Sequence, residues 1–119
     1  MAMGTERCAV EVTVAMIGGK WKPIILFHLF QGGVLRFSEL RRKLPKVSER
    51  IRVRQLRELE ADRLVRRTIH PQVPPRVEYE LAGDGHSLVP ILQAMSEWGY
   101  ARQGKNPSAG FRARTDGRT

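Results

Sequence analysis

A chain of 119 residues, 41% of them hydrophobic, is long enough for one folded domain and apolar enough to give that domain a core. Its 21 Lys and Arg against 12 Asp and Glu leave a formal charge of +9, which points to a polyanionic partner. The longest apolar stretch, Pro23 to Phe30, falls far short of the roughly 20 residues a bilayer needs, which excludes a transmembrane helix, and a single cysteine excludes both a disulfide framework and a multi-cysteine zinc site.

Met1 to Arg7 lack the pattern of a secretory signal, so a cytoplasmic location is expected, with residues 1–8 as a flexible N-terminus. Val10, Val12, Val14 and Ile17 fit two periods, a strand through 10, 12 and 14 or a helix face through 10, 14 and 17, and periodicity alone leaves both open. Gly18-Gly19 ends that element, and Pro23 suits the first turn of a buried helix running through Ile24 to Phe30 and stopped by Gly32-Gly33. Leu35 to Phe37 read as a short apolar link. Ser38 is then the expected N-cap of a brief helix reaching Leu44 and closed by Pro45.

Ser48 offers a second N-cap, and from there to Asp62 the sequence has no Gly or Pro and predicts the most secure helix in the chain. Val65 to His70 and Arg76 to Leu81 are β-prone runs separated by Pro71, Pro74 and Pro75, the pattern of a hairpin with a stiff loop. A final helix from Asp84 to about Ala101 carries Leu88, Ile91, Leu92, Met95 and Trp98 as one apolar stripe. Residues 9–102 thus form the domain, and 103–119 are expected to be a disordered basic tail.

Short helix, tight connection, polar helix and basic hairpin is the order of a winged helix-turn-helix, a mainly α fold with a small β-hairpin. Between Arg36 and Arg76 stand 13 Lys and Arg but only 5 acids, so the middle third of the chain carries +8. At about 100° per residue, with Arg50 as zero, Arg54 lies near 40° and Arg57 near 340°, while Leu56 and Leu59 lie near 240° and 180°. Three guanidinium groups therefore share the face opposite the leucines, where they can pair with guanine edges or hold phosphates. The bland reading of that face is a solvated charged surface. Positive charge on both sides weighs against it: Arg41, Arg42 and Lys43 on the preceding helix, Arg66 and Arg67 on the first hairpin strand and Arg76 at the loop exit; together with Ser38, Lys46, Ser48 and Val53, Arg41 and the hairpin arginines are the further expected contacts to double-stranded DNA.

Ile17-Gly18-Gly19-Lys20-Trp21, Arg36-Phe37-Ser38-Glu39-Leu40, Gln55-Leu56-Arg57-Glu58-Leu59-Glu60 and Val73-Pro74-Pro75-Arg76-Val77-Glu78-Tyr79 together resemble the HxlR-type transcription regulators. The resemblance spans about Cys8 to Gly99. It implies a repressor or activator, dimeric through its terminal helices, that binds inverted-repeat operator DNA. It also implies a sensing role for Cys8, since many such proteins carry a cysteine just before the first helix; an unreactive thiol is the alternative. The stripe of Leu88, Ile91, Leu92, Met95 and Trp98 is the expected dimer seam, because five large apolar residues on so small a domain would otherwise stay exposed.

Four positions depart from the family pattern. Arg52 lies near 200°, among the leucines, so either its stem snorkels or the helix rotates locally. Val53 stands where Thr is common, Arg63 where Gly ends the helix, and Ala82 where a Thr cap is usual, so the last helix is expected to begin late. Gly18-Gly19-Lys20 lacks the remainder of a phosphate loop, since Val14 and Trp21 occupy its outer positions. His28, His70 and His86 fall on separate elements, Trp21 and Trp98 read as core or interface anchors, and no nucleophile–base or metal-ligand spacing emerges. The expectation is a regulator without cofactor, metal or catalytic step, open to gating by an oxidant, electrophile or small-molecule effector. A DNA-binding module of low specificity acting through protein partners is the alternative.

Overall fold

A computed structural model describes residues 8–104. The expected N-terminal segment 1–7 and nearly all of the expected tail lie outside the described residues. Val10, Val14 and Ile17 resolve as a helix, α1 (Ala9–Ile17), whose buried residue is Ile17. Gly18 closes it with its N–H on the carbonyl of Val14 at 2.7 Å. Helix α2 (Lys22–Gly32) follows with Pro at its first turn, burying Ile25, Leu26 and Leu29.

The expected link Leu35 to Phe37 is instead the end of a strand, β1 (Val34–Arg36), and the first residue of the next helix. The strand's three residues are too few for alternation to register in the sequence, yet Leu35 points into the core while its neighbours face outward. The strand runs straight into α3 (Phe37–Lys43) without an intervening residue. Ser38 is consequently not the N-cap. Arg36 is, and its N–H donates to Glu39 Oε1 at 2.7 Å, so the acid three residues on closes the helix start. Ser48 does cap α4 (Glu49–Ala61), its Oγ accepting from the N–H of Ile51 at 3.2 Å.

Strands β2 (Val65–His70) and β3 (Arg76–Leu81) form the hairpin, and β1 adds to its other edge. The antiparallel sheet has the order β1-β3-β2, with Leu35 opposite Tyr79 and Arg67 also opposite Tyr79. A 3-10 turn (Gly83–Leu88) then leads to α5 (Val89–Gln103), so the last regular helix does begin late. The core is a leucine-rich cluster in which Leu26, Leu29, Leu40, Leu56, Leu59, Leu64 and Val65 join α2, α3, α4 and the start of β2, with Leu88 from the 3-10 turn and Leu92 from α5 completing it.

The end of α4 is a reciprocal pair of backbone bonds, Leu64 N–H to Leu59 C=O and Arg63 N–H to Glu60 C=O, both at 3.0 Å. That geometry requires a left-handed residue at 63, and Arg63 takes it, with φ +63. A Cβ in this region costs roughly 1–2 kcal/mol, partly offset in glycine by its larger loss of chain freedom on folding. Arg63→Gly is therefore expected to raise stability by about 0.5–1 kcal/mol, read as a higher midpoint in urea with unchanged slope.

Candidate nucleic-acid interface

Helix α4 is divided by its own packing. Leu56 and Leu59 are buried, which turns Arg50, Arg54 and Arg57 to the solvent side. No acid lies within ion-pairing distance of those three among the described residues. The nearest acid in sequence, Glu58, is engaged elsewhere: Lys22 Nζ sits 2.8 Å from Glu58 Oε1, joining the first turn of α2 to the last turn of α4. The hydrogen bond and charge of Lys22, with a smaller contribution from Arg54, hold the Glu58 carboxyl below its ordinary range. Arg41, Lys46 and the capping residue Ser48 are exposed on α3 and the turn beside it.

The outer side of α4 and the wing open onto one cleft of about 600 Å³. Ser38, Val53 and Arg57 line it from the helices, Arg67 from β2, and Pro74, Pro75 and Arg76 from the wing. Arg57 and the proline-rich loop therefore face the same side of the molecule. Arg36 and Phe37 also line the cleft. Sequence reasoning did not place Arg36 at this cleft, because reading 35–37 as a link removed it from any face; its place beside Phe37 and Ser38 in a family motif was the available signal.

The hairpin arginines differ from those of α4. Arg66 lies 3.3 Å from Glu80, Arg67 lies 3.3 Å from Glu60, and Arg76 lies 3.2 Å from Glu78. Each has an acidic neighbour, so the wing holds less unbalanced charge than the sequence alone suggests. The position of Arg52 is a further correction. Its side chain neither snorkels nor is carried outward by helix rotation; it is 3% exposed. Its Nη2 donates to the carbonyl of Val47 at 2.7 Å and reaches that of Leu44 at 3.5 Å, while Nε and Nη1 have no partner among the described residues. The guanidinium lies 5.8 Å from the centre of the Phe37 ring.

The expected seam also divides. Leu88 and Leu92 are buried inside the subunit, whereas Ile91, Met95 and Trp98 are exposed, Trp98 with Arg102 stacked 4.7 Å above its ring. Exposed Val10 and Val14 on α1 add apolar surface that the subunit does not cover. Cys8 is exposed and occupies the N-cap of α1. Among the described residues no three His, Cys, Asp or Glu converge as a metal site, and no helix is long and apolar enough to cross a membrane.

Residues 16–106 match the model of the HxlR-like helix-turn-helix family. The chain belongs to that family. It is a transcriptional regulator with a helix-turn-helix DNA-binding fold, as its relatives are. It is 48% identical over 113 residues to an uncharacterized HTH-type transcriptional regulator of Methanothermobacter thermautotrophicus, covering 93% of this chain and 86% of that one. It is 50% identical over 98 residues to YybR of Bacillus subtilis, an HTH-type transcriptional regulator, covering 82% and 78%. Among solved structures, the redox regulator HypR in its oxidized form superimposes with a TM-score of 0.75 at 49% identity, over 79% of this chain and 96% of that one. The winged-helix architecture of this HxlR-like protein is thus shared along most of its described length.

Proposed function

We propose that this HxlR-like protein acts by binding, without a catalytic step, as a cytoplasmic homodimer that reads an inverted-repeat operator and represses by occupying it. The observation that carries this reading is the row Arg50, Arg54 and Arg57, exposed on α4 and free of acid partners among the described residues, with Arg57 lining one cleft together with the wing. Such a helix fits the major groove, where guanidinium groups pair bidentately with guanine O6 and N7. Ile91, Met95 and Trp98, together with Val10 and Val14, supply apolar surface for a second copy.

Selection of bound fragments from the source genome, followed by titration at several salt concentrations, tests this. Arg54→Ala is expected to weaken operator binding about tenfold or more and to relax preference at one base position. Equal affinity of the wild-type protein for operator and random duplex at physiological salt would favour the low-specificity alternative, for which Val53 at a recognition position is the motivating residue.

Gating by an oxidant is a second layer favoured by the exposed Cys8 and by similarity to a protein named as a redox regulator. With one thiol per chain, internal disulfide formation is excluded. Two chains would each lose a proton and an electron to an acceptor such as diamide as one sulfur–sulfur bond forms between them. Operator affinity that is the same before and after diamide treatment would remove Cys8 from the mechanism.

A further inference from the structure

The five residues 71–75 that join β2 to β3 contain no charged side chain, and three of them are proline. Without rotation about φ, those prolines hold the loop in few conformations. Between them Val73 is 98% exposed, a β-branched apolar side chain that its own subunit leaves almost bare. The flanking charges are matched. Glu78 uses one oxygen for His70, at 2.8 Å, and the other for Arg76, at 3.2 Å, while Arg66 has Glu80. The hydrogen bond from His70, with smaller contributions from Arg76 and Arg36, keeps the Glu78 carboxyl below its ordinary range, so the acid stays charged beside Arg76.

We propose that the wing recognises DNA through Val73 as an apolar probe of the minor-groove floor, favouring A·T pairs beside the bases read by α4, rather than through phosphate attraction. The inference rests on the DNA-binding reading above. Its chemical basis is the guanine N2 amino group, which rises from the floor of the minor groove, while A·T pairs leave that floor clear and the groove narrow. A short apolar side chain on a stiff loop meets the amino group as an obstacle and as a donor it cannot satisfy. Salt-dependent attraction then comes from α3 and α4, where the arginines lack acid partners among the described residues.

The test uses the full chain and an operator obtained by genomic selection, with the flanking pairs under the wing set to A·T, G·C or inosine·C. Inosine·C keeps the major-groove face of G·C but lacks the N2 amino group. The wild-type protein is expected to bind the A·T and inosine·C flanks about five- to tenfold more tightly than the G·C flank. Val73→Ala is expected to bring all three within about twofold while leaving the slope of affinity against salt unchanged. Val73→Ile, which keeps a β-branched apolar side chain with no acceptor for the amino group, checks that folding is not the cause and should retain most of the discrimination. Indifference of the wild-type protein to the three flanks, or full discrimination by Val73→Ala, would overturn the proposal while leaving operator binding by α4 intact. Failure of the wild-type protein to enrich any fragment would instead overturn the DNA-binding reading itself, and the wing inference with it.

Discussion

Trp98→Glu combined with Met95→Glu is expected to turn the protein into a monomer and to cost it at least about a hundredfold in operator affinity. Both side chains are exposed on α5, at 65% and 48%, beside exposed Ile91. In the proposed dimer each copy would bury this surface, and two carboxylates per chain would then lose hydration without a partner. The DNA consequence follows from linkage. Once one half-site is engaged, a joined second copy meets its half-site at high effective concentration, a gain of roughly 10²–10⁴ that a monomer forgoes. Light scattering at micromolar concentration and operator titration read the two effects separately. Because neither residue lies in the buried leucine cluster, thermal melting of the isolated subunit should change little. A wild-type protein that is already monomeric while bound tightly to its operator would refute the arrangement.

Arg52→Met is expected to stabilise the protein, which is unusual for a change at a residue 3% exposed. Several contributions compete. The guanidinium donates to Val47 C=O and comes within 5.8 Å of the Phe37 ring, contacts worth about 1.5–3 and 0.5–2 kcal/mol. Against them stands the removal of a full charge from water, a cost of several kcal/mol per ion even after relaxation. No acid is within ion-pairing distance of Arg52 among the described residues, and two of its nitrogens have no partner. The carbonyl of Leu44 keeps the N–H of Val47 at 3.2 Å when Arg52 is replaced, so one carbonyl, that of Val47, loses a donor. Desolvation prevails in that balance. The net gain should be about 1–3 kcal/mol, seen as a rise of roughly 5–15 °C in the melting midpoint. Since Arg52 faces inward, operator affinity should stay within about twofold. A lower midpoint would mean that the bond to Val47 and the contact with Phe37 hold the turn between α3 and α4 more strongly than burial penalises the charge.

These cases show where sequence was a good guide. Helix α4 was legible because its cap, its length and its division into leucine and arginine faces all agree, and the hairpin was legible because prolines separate two β-prone runs. The late start of α5 followed from Ala82 in place of a capping residue. Strand β1 was hidden because three residues make no pattern and their pairing with Glu80, Tyr79 and Glu78 is non-local. The same is true of the acids beside the wing arginines: Arg67 and Glu60 meet between β2 and α4, an encounter that charge counting along the chain does not reveal. The residues read as one apolar stripe on the last helix do not share a face: Leu88, in the 3-10 turn, and Leu92 turn to the subunit's own core while Ile91, Met95 and Trp98 are exposed, a division that spacing could not reveal.

The direct passage from β1 at Arg36 to α3 at Phe37 has a mechanical result. With no slack residue between β1 and α3, the sheet that carries the wing and the helical pair are expected to act as one stiff calliper, its jaws at a fixed opening, when the protein engages DNA as proposed. Strain on closing around a target must then be taken up by the duplex, so that two sites with identical contacted bases are ranked by how readily the DNA between the jaws bends.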